Sequence, residues 1–273
     1  MSTRFRVLSF TAALFGVAVL TGTSCPITMP TPTPTDPAGF TNADVVRGGK
    51  LYDNWWATAG KTEPTTDQPL WASRPDTTNT RTGSATWRCK ECHGWDYKGV
   101  AGAYSSGSHK TGIKGIFGTT MTAQQIFDLL KNDAATTTNG HDYGGATAGL
   151  ADADIWDLAR FVLKGQIDTS TFINSSKSFF TGNAATGATL YTSGIAGGLG
   201  CVNCHGSDGR TINFKTPPAA EYVGTIANDN PWEFQHKVRF GQPNTQMPSS
   251  VSSGGTTQNV ADVGAHAQTL PTS

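Results

Sequence analysis

One five-residue pattern, C-x-x-C-H, occurs twice and takes up four of the five cysteines of the chain. Its members are Cys89, Cys92 and His93 in WRCKECHGWDYKG, and Cys201, Cys204 and His205 in GCVNCHGSDG. Two chance copies in one chain would arise on the order of once in a thousand sequences at equal residue usage. The pattern therefore points to chemistry, and the fold must present two thiols and an imidazole together at each copy.

Three chemistries use closely spaced cysteines. A structural disulfide gives the adjacent histidine no role. A zinc site needs both cysteine pairs to converge on one metal, whereas here the pairs lie far apart, each with its own surroundings. C-x-x-C-H is the attachment signature of c-type haem, in which each thiol adds to a vinyl group and the histidine ligates the iron. The sequence therefore predicts two haem c groups, with zinc and disulfides as the alternatives.

The first 24 residues have the features of an export signal peptide. Arg4 and Arg6 precede the apolar stretch FTAALFGVAVL, which is shorter than the ~20 residues that span a bilayer. Small residues follow it and lead to the fifth cysteine, Cys25. We therefore expect an exported protein, in the periplasm or cell envelope.

Cys25 follows TGTS and resembles the lipid-modified first residue of a bacterial lipoprotein, although Gly22 stands where leucine is usual. Ordinary cleavage nearby and a stray thiol are the alternatives. Residues 25–40 are rich in Pro and Thr, which favours an extended tether between a lipid and the folded part. Contact with a membrane is expected only through this lipid.

The segments around the two motifs also repeat. A glycine followed by Leu-Tyr precedes each motif, in RGGKLYDNWW and in ATGATLYTSG, and each segment predicts a short amphipathic helix. A middle helix is predicted from TAQQIFDLLKND after the first motif and from PWEFQHKVRF after the second. Neither half contains long alternating runs, so we expect little β structure.

A last helix is predicted in each half, from LADADIWDLARFVLKG and from TQNVADVGAHAQTL. Asp152 is the expected N-cap of the first of these helices and Gly165 its stop. The apolar stripes comprise Ile155, Leu158, Ala159 and Val162 in the first half, and Val260, Val263, Ala267 and Leu270 in the second. Their spacing predicts faces that pack into a core, with or without a cofactor.

These motifs and helices resemble the c-type cytochromes of the mitochondrial and bacterial class, here with two such domains in tandem. The resemblance implies an all-α fold, in which an N-terminal helix crosses a C-terminal helix and loops hold the haem in each domain. It divides the chain into a first domain at 41–166, a linker at 167–181 and a second domain at 182–273.

The resemblance also implies a methionine in a Met-Pro loop as the second iron ligand. In the second half this is Met247, in GQPNTQMPSS; an exposed loop methionine is the alternative. The first half lacks Met-Pro, and His141 in TNGHDYGG stands at the corresponding place. Met121, His109 and an open coordination site are the other candidates. The remaining histidines, His236 and His266, are expected to be structural or exposed.

The two copies differ by an inserted segment, residues 60–86, which is present only in the first half. It is rich in Thr, Pro and Asp and contains Trp71. A surface loop is one interpretation, and a flap that covers a haem edge or touches a partner is the other.

Axial ligands tune haem potential, because a thioether favours ferrous iron more than a second imidazole does. We therefore expect the first haem to have the lower potential and electrons to pass from the first to the second. The predicted function is an electron carrier, not an enzyme, that acts between redox proteins of the envelope. A dihaem oxidoreductase or peroxidase with one open site, and an electron-transfer subunit of a larger complex, are the alternatives.

Other functions find little support in the chain. There is no G-x-S-x-G, phosphate loop or separate metal motif that would indicate catalysis. The net charge is +0 and no basic patch is evident, so nucleic acid is not an expected partner.

Overall fold

The computed structural model describes residues 36–131 and 141–273, and Asp36–Ser273 form one compact unit. The predicted signal peptide and Cys25 lie outside the described residues. The described part is built of helices, with a single β-bridge between Gly99 and Lys114 and no strand. The predicted all-α class is therefore confirmed.

The helices follow one another through short turns and loops. Within the described residues the α-helices are α1 Ala38–Thr41, α2 Val45–Ala59, α3 Cys89–His93, α4 Ala123–Lys131, α5 Asp152–Arg160, α6 Ala184–Ser193, α7 Val202–His205, α8 Val223–Asp229, α9 Pro231–Phe240 and α10 Thr257–Ala267. Short 3-10 turns lie at Pro69–Ser73, Gly83–Trp87, Ala103–Ser105, Thr169–Thr171 and Ile195–Gly197, and a π turn at Phe161–Gly165 extends α5.

Two boundaries differ from the sequence-based expectation. Helix α1 begins inside the stretch predicted as a tether, because Phe40 is buried in the core. Asp152 is the first residue of α5 and not its N-cap, which is Ala151. Asp154 accepts a hydrogen bond from the backbone N–H of Ala151 at 2.9 Å, so an acidic side chain two positions further on stabilises this end.

In the first half, α2 crosses α5 at a point where only glycine fits. A Cβ on Gly48 would overlap the carbonyl oxygen of Asp157 and lie 2.8 Å from the Cβ of Phe161. The backbone N–H of Asp44, the N-cap of α2, donates to Asp157 Oδ1 at 2.7 Å. One turn further along α2, the Tyr52 hydroxyl donates to the carbonyl of Gly94, directly after the first motif, at 2.6 Å.

The second half repeats these contacts one by one. A Cβ on Gly187 of α6 would overlap the carbonyl oxygen of Asp262 in α10. The backbone N–H of Asn183, the N-cap of α6, donates to Asp262 Oδ1 at 2.8 Å. The Tyr191 hydroxyl donates to the carbonyl of Gly206, directly after the second motif, at 3.0 Å. The repeat in the sequence therefore corresponds to a structural repeat. In each half, two helices cross at a glycine, and a tyrosine of the first helix binds the carbonyl that follows the motif.

Two hydrophobic clusters form the core. The first is drawn mainly from residues 40–161 and the second from residues 172–267. The predicted stripes lie in them: Ile155, Leu158 and Ala159 are buried in the first cluster, and Val260, Val263 and Ala267 in the second. The stretch predicted as a linker is also packed, since Phe172, Ile173 and Phe179 belong to the second cluster.

Helix α9 of the second half contributes to the first half. Phe240 belongs to the first cluster, and a Cβ on Gly49 would overlap its ring. His236 is fully buried, accepts from the Tyr97 hydroxyl at Nδ1 over 2.9 Å and donates from Nε2 to the carbonyl of Gly49 over 2.9 Å. Burial lowers the pKa of His236 to about 3, so the ring is neutral here.

A buried ion cluster reinforces this interface. Asp53 of α2 is 1 % exposed and pairs with Arg88, just before the first motif, and with Lys237 of α9. Burial raises the pKa of Asp53, but the two cations outweigh it and hold the pKa at about 2. Arg239 donates to the carbonyl of Gly165 at 2.6 Å. The halves are therefore joined by buried polar contacts as well as by the chain.

Candidate haem sites

The first motif forms the short helix α3, which follows the 3-10 turn Gly83–Trp87. Cys89 and Cys92 are half-buried free thiols, not joined in a disulfide. Burial raises the pKa of Cys89 to about 11 and that of Cys92 to about 12, so both are protonated at neutral pH. Because neither sulfur is in a disulfide, both thiols are available for a bond to another group.

His93 is oriented by the backbone. Its Nδ1 lies 2.8 Å from the carbonyl oxygen of Lys114, which can only accept, so Nδ1 carries the proton. Burial lowers the pKa of His93, which favours the neutral ring. Metal-ligating histidines typically donate their second ring N–H in this way. Nε2 is left with a lone pair for a metal.

His141 lies opposite His93. The two ring centres are 6.2 Å apart and the ring planes are within 25° of parallel. Two imidazoles that bound one metal ion at about 2 Å, with ring centres about 1 Å beyond the nitrogens, would have ring centres at most about 6 Å apart. The spacing therefore fits one metal ion between the two predicted ligands.

Aromatic side chains surround the first motif. The Tyr143 hydroxyl donates to the carbonyl of Trp87 at 2.9 Å and lies 3.7 Å from Cys89 Sγ. Trp55 packs edge-on against both Trp87 and Tyr143, with ring centres 6.1 Å apart in each case. Sequence reasoning missed Tyr143, although it lies two residues after His141. This apolar, aromatic surrounding fits a porphyrin.

The other candidates for the second ligand lie elsewhere. His109 donates from Nδ1 to Glu91 at 2.9 Å and accepts at Nε2 from Arg81 at 3.0 Å. Both of its nitrogens are thus engaged, and its ring stacks on Tyr104 at 4.8 Å. Met121 is half-buried against the first hydrophobic cluster. The structure therefore brings His141, and not His109, to the face of His93.

The inserted segment lies at the surface and is anchored by a few buried residues. Most of its residues are exposed, but Gln68, Trp71 and Asn79 are buried at 6 %, 3 % and 0 % exposure. Its backbone meets the motif where Trp87 Nε1 donates to the carbonyl of Thr66 at 2.9 Å. The segment is therefore anchored beside the first motif, and the flap interpretation stays a prediction.

The second motif lies on α7 with a more open surface. Cys201 is half-buried and Cys204 exposed, and both thiols are free. Burial raises the pKa of Cys201 to about 11. His205 Nδ1 is buried and has no hydrogen-bond partner within the described residues. The ring of Phe214 lies 5.9 Å from that of His205, and Phe214 is an exposed residue. Free thiols, an imidazole and exposed apolar surface together fit a site for an apolar, metal-bearing ligand.

Met247 lies in the loop between α9 and α10 and is half-buried. Its backbone N–H donates to Thr245 Oγ1 at 3.2 Å, and a Cβ on Gly241 would overlap its carbonyl oxygen. These contacts fix the loop, and ligation by Met247 stays a prediction. His266 packs on Tyr191 with ring centres 5.2 Å apart, at the place that Phe161 takes beside Tyr52, and so has a structural role.

The ranges that the structure describes hold no group of three or more His, Cys, Asp or Glu side chains placed to bind a metal ion. They also include no helix long and apolar enough to cross a membrane.

Comparison with known proteins gives one match. Residues 81–166 match the protein-family model described as Cytochrome c. No curated protein and no solved structure matches the chain. The matched stretch contains the first motif, His141 and α5 with its π turn. The chain therefore carries a cytochrome c domain at residues 81–166, which implies covalently bound haem c and supports haem-based electron transfer.

Proposed function

We propose that the chain is an electron-transfer protein that carries two c-type haems, one in each half. For the first half, the family match supports the haem. For the second half, the observation that carries the proposal is the repeated framework. In both halves a glycine permits the helix crossing, and a tyrosine four residues later binds the carbonyl that follows the motif. A shared framework supports a shared cofactor.

In the first site, Cys89 and Cys92 would hold the porphyrin, and His93 and His141 would ligate the iron. The 6.2 Å separation of the imidazole rings supports this pairing. The Lys114 carbonyl keeps the proton on Nδ1 of His93, so that Nε2 would be available to ligate the metal. The haem, when bound, supplies the one-electron chemistry; the chain supplies ligation, orientation and exclusion of water.

In the second site, Cys201 and Cys204 would hold the porphyrin, and His205 and Met247 would ligate the iron. The free thiols and the apolar surface around Phe214 support attachment here. The place of Met247, between the middle and last helices of this half, supports its role.

The two ligand sets predict a direction of transfer. Imidazole and thioether together give a higher potential than two imidazoles. Electrons would therefore pass from the first haem to the second. The interface built by α9, with His236 and Phe240 buried against the first half, supports a fixed arrangement of the two sites.

With two ligands from the chain on each iron, neither haem would keep an open position, which favours a carrier over an oxidoreductase or peroxidase. Its partners would be other redox proteins. Export to the periplasm or cell envelope, with a lipid on Cys25, belongs to the same proposal and is supported by the N-terminal sequence.

Mass spectrometry tests the haem count. The holoprotein, matured in a host that attaches c-type haem, is expected to carry the mass of two haems. A variant with both Cys201→Ser and Cys204→Ser should carry one. A wild-type mass of one haem, or none, would refute the proposal.

Optical spectra and a redox titration test the ligands. We expect low-spin bands from both haems and two separate midpoint potentials. His141→Ala should convert only the lower-potential haem to a high-spin form. If that haem keeps its spectrum and potential, His141 is not its ligand.

A further inference from the structure

A buried carboxylate lies inside the first motif. Glu91, between the two cysteines, is 0 % exposed. At the corresponding place the second motif has Asn203, which is exposed and donates to the nearby carbonyl of Gly200 at 2.9 Å. Burying a carboxylate is costly unless several donors compensate it. The first site must therefore compensate the burial of a carboxylate, whereas the second site, with the exposed Asn203, does not.

The partners of Glu91 come from three parts of the chain. Oε1 accepts from Asn79 Nδ2 at 2.5 Å and from His109 Nδ1 at 2.9 Å, and Oε2 accepts from Lys90 Nζ at 2.7 Å. Arg81 lies 3.5 Å away as a further cation. Asn79 and Arg81 belong to the inserted segment. Glu91 thus attaches one end of that segment to the helix that carries the first motif.

The other end of the segment reaches the loop of His141. Gln68, 6 % exposed, donates from Nε2 to the carbonyl of His141 at 3.3 Å. Its backbone N–H is held by Thr86 Oγ1 at 2.9 Å, and its Oε1 by the N–H of Leu70 at 2.6 Å. The Gln68 side chain is therefore fixed in place, and it holds the backbone of His141.

We propose that Glu91 and Gln68 are positioning residues of the first haem site. Through them the inserted segment joins the motif helix to the His141 loop, keeps His141 opposite His93 and closes the first iron to external ligands. This inference rests on the proposed ligation of the first haem by His141. It gives the insertion a role in only one of the two sites, which makes the second haem an internal control.

The test compares holoprotein variants: Glu91→Ala, Glu91→Gln and Gln68→Ala. Glu63→Gln, an exposed residue of the same segment, is the matched control. The readouts are the high-spin fraction of each haem, the binding of carbon monoxide to the reduced protein, the two midpoint potentials and proteolytic cleavage within residues 60–86.

Loss of a buried acceptor leaves several donors unsatisfied, so Glu91→Ala should speed carbon monoxide binding at the first haem by at least about tenfold. Gln68→Ala removes one contact and should speed it by a few fold. Glu91→Gln keeps one acceptor oxygen for Asn79 or His109 and should restore much of the wild-type behaviour. The second haem and the control variant should not change. Proteolytic cleavage within residues 60–86 should increase most in Glu91→Ala and less in Gln68→Ala and Glu91→Gln.

Two failures are distinguishable. If wild-type protein shows a low-spin first haem that His141→Ala disrupts, but Glu91→Ala and Gln68→Ala leave its spectrum, potential and gas binding unchanged, the positioning role is wrong and the proposed function stands. If His141→Ala itself has no effect, the ligand assignment fails. Should Glu91→Ala not mature, Gln68→Ala decides, because it lies outside the motif: an unchanged first haem in that variant overturns the inference.

Discussion

Replacing Gly187 with alanine separates two opposing effects. Alanine is favoured over glycine inside a helix by about 1 kcal/mol, so propensity alone predicts that Gly187→Ala stabilises α6. The crossing with α10 predicts the reverse. The added Cβ would overlap the carbonyl oxygen of Asp262 and lie 2.8 Å from the Cβ of His266, where ordinary contact begins at 3.4 Å.

The Asp262 carbonyl, which the added Cβ would meet, decides whether Gly187→Ala stabilises or destabilises the fold. A backbone carbonyl cannot rotate away as a flexible side chain can, so α6 and α10 must move apart. Overpacking of this kind costs typically about 1–3 kcal/mol. The movement also strains the bond from the Asn183 N–H to Asp262 and that from Tyr191 to Gly206. After the gain of about 1 kcal/mol in propensity, we expect a net loss of about 1 kcal/mol in unfolding free energy.

Thermal and urea unfolding of the holoprotein, followed by circular dichroism, measure this loss. A fall of about 2–4 °C in midpoint corresponds to it for a chain of this size. Thr189→Ala, at an exposed position of the same helix, is the control and should be neutral or slightly stabilising. If Gly187→Ala unfolds at or above the midpoint of the control, the close crossing of α6 and α10 is wrong. Gly48→Ala should have the same effect in the first half.

Further outcomes are expected at the interface and at the second site. Asp53→Asn leaves Arg88 and Lys237 without their buried anion and should lower the unfolding free energy by about 3 kcal/mol, measurable in urea. Because the pKa of Asp53 is depressed from 3.8 to about 2, its ionised form stabilises the fold above pH 4. That contribution, about 2 kcal/mol, is lost as pH falls from 4 towards 2. An acid titration that shows the same slope in wild type and Asp53→Asn would contradict this. Met247→Ala should lower the potential of the second haem alone, and a redox titration with both potentials unchanged would exclude Met247 as a ligand.

Much of the site could be predicted because it is local in sequence. The cysteines and histidine of each motif lie within one helical turn, so their spacing alone places them together. The apolar spacing of residues such as Ile155 and Val263 predicted which helix faces are buried, and both are. The place of His141 followed from comparing the two halves, and the structure sets it across from His93.

The features that could not be predicted depend on contacts between residues that are distant in the sequence. Periodicity gives the buried face of α9, but it does not say that Phe240 packs in the first cluster or that His236 bonds to Gly49. Glu91 is charged and follows the charged Lys90, so its residue type does not indicate that it is buried. Residue type alone predicts Asp152 as an N-cap, whereas the N-cap is Ala151, whose backbone N–H donates to Asp154.

Helix α9 also bears on whether the halves could exist as separate proteins. A fragment that ended at residue 166 would expose the surfaces of Trp95 and Tyr97 that the second half covers, and it would leave Asp53 with one of its two cations. A fragment beginning after that point would present Phe240 and His236 to water. Scission of the linker should therefore yield two pieces that stay associated or aggregate, and swapping one half for that of another protein would require α9 to be redesigned with it.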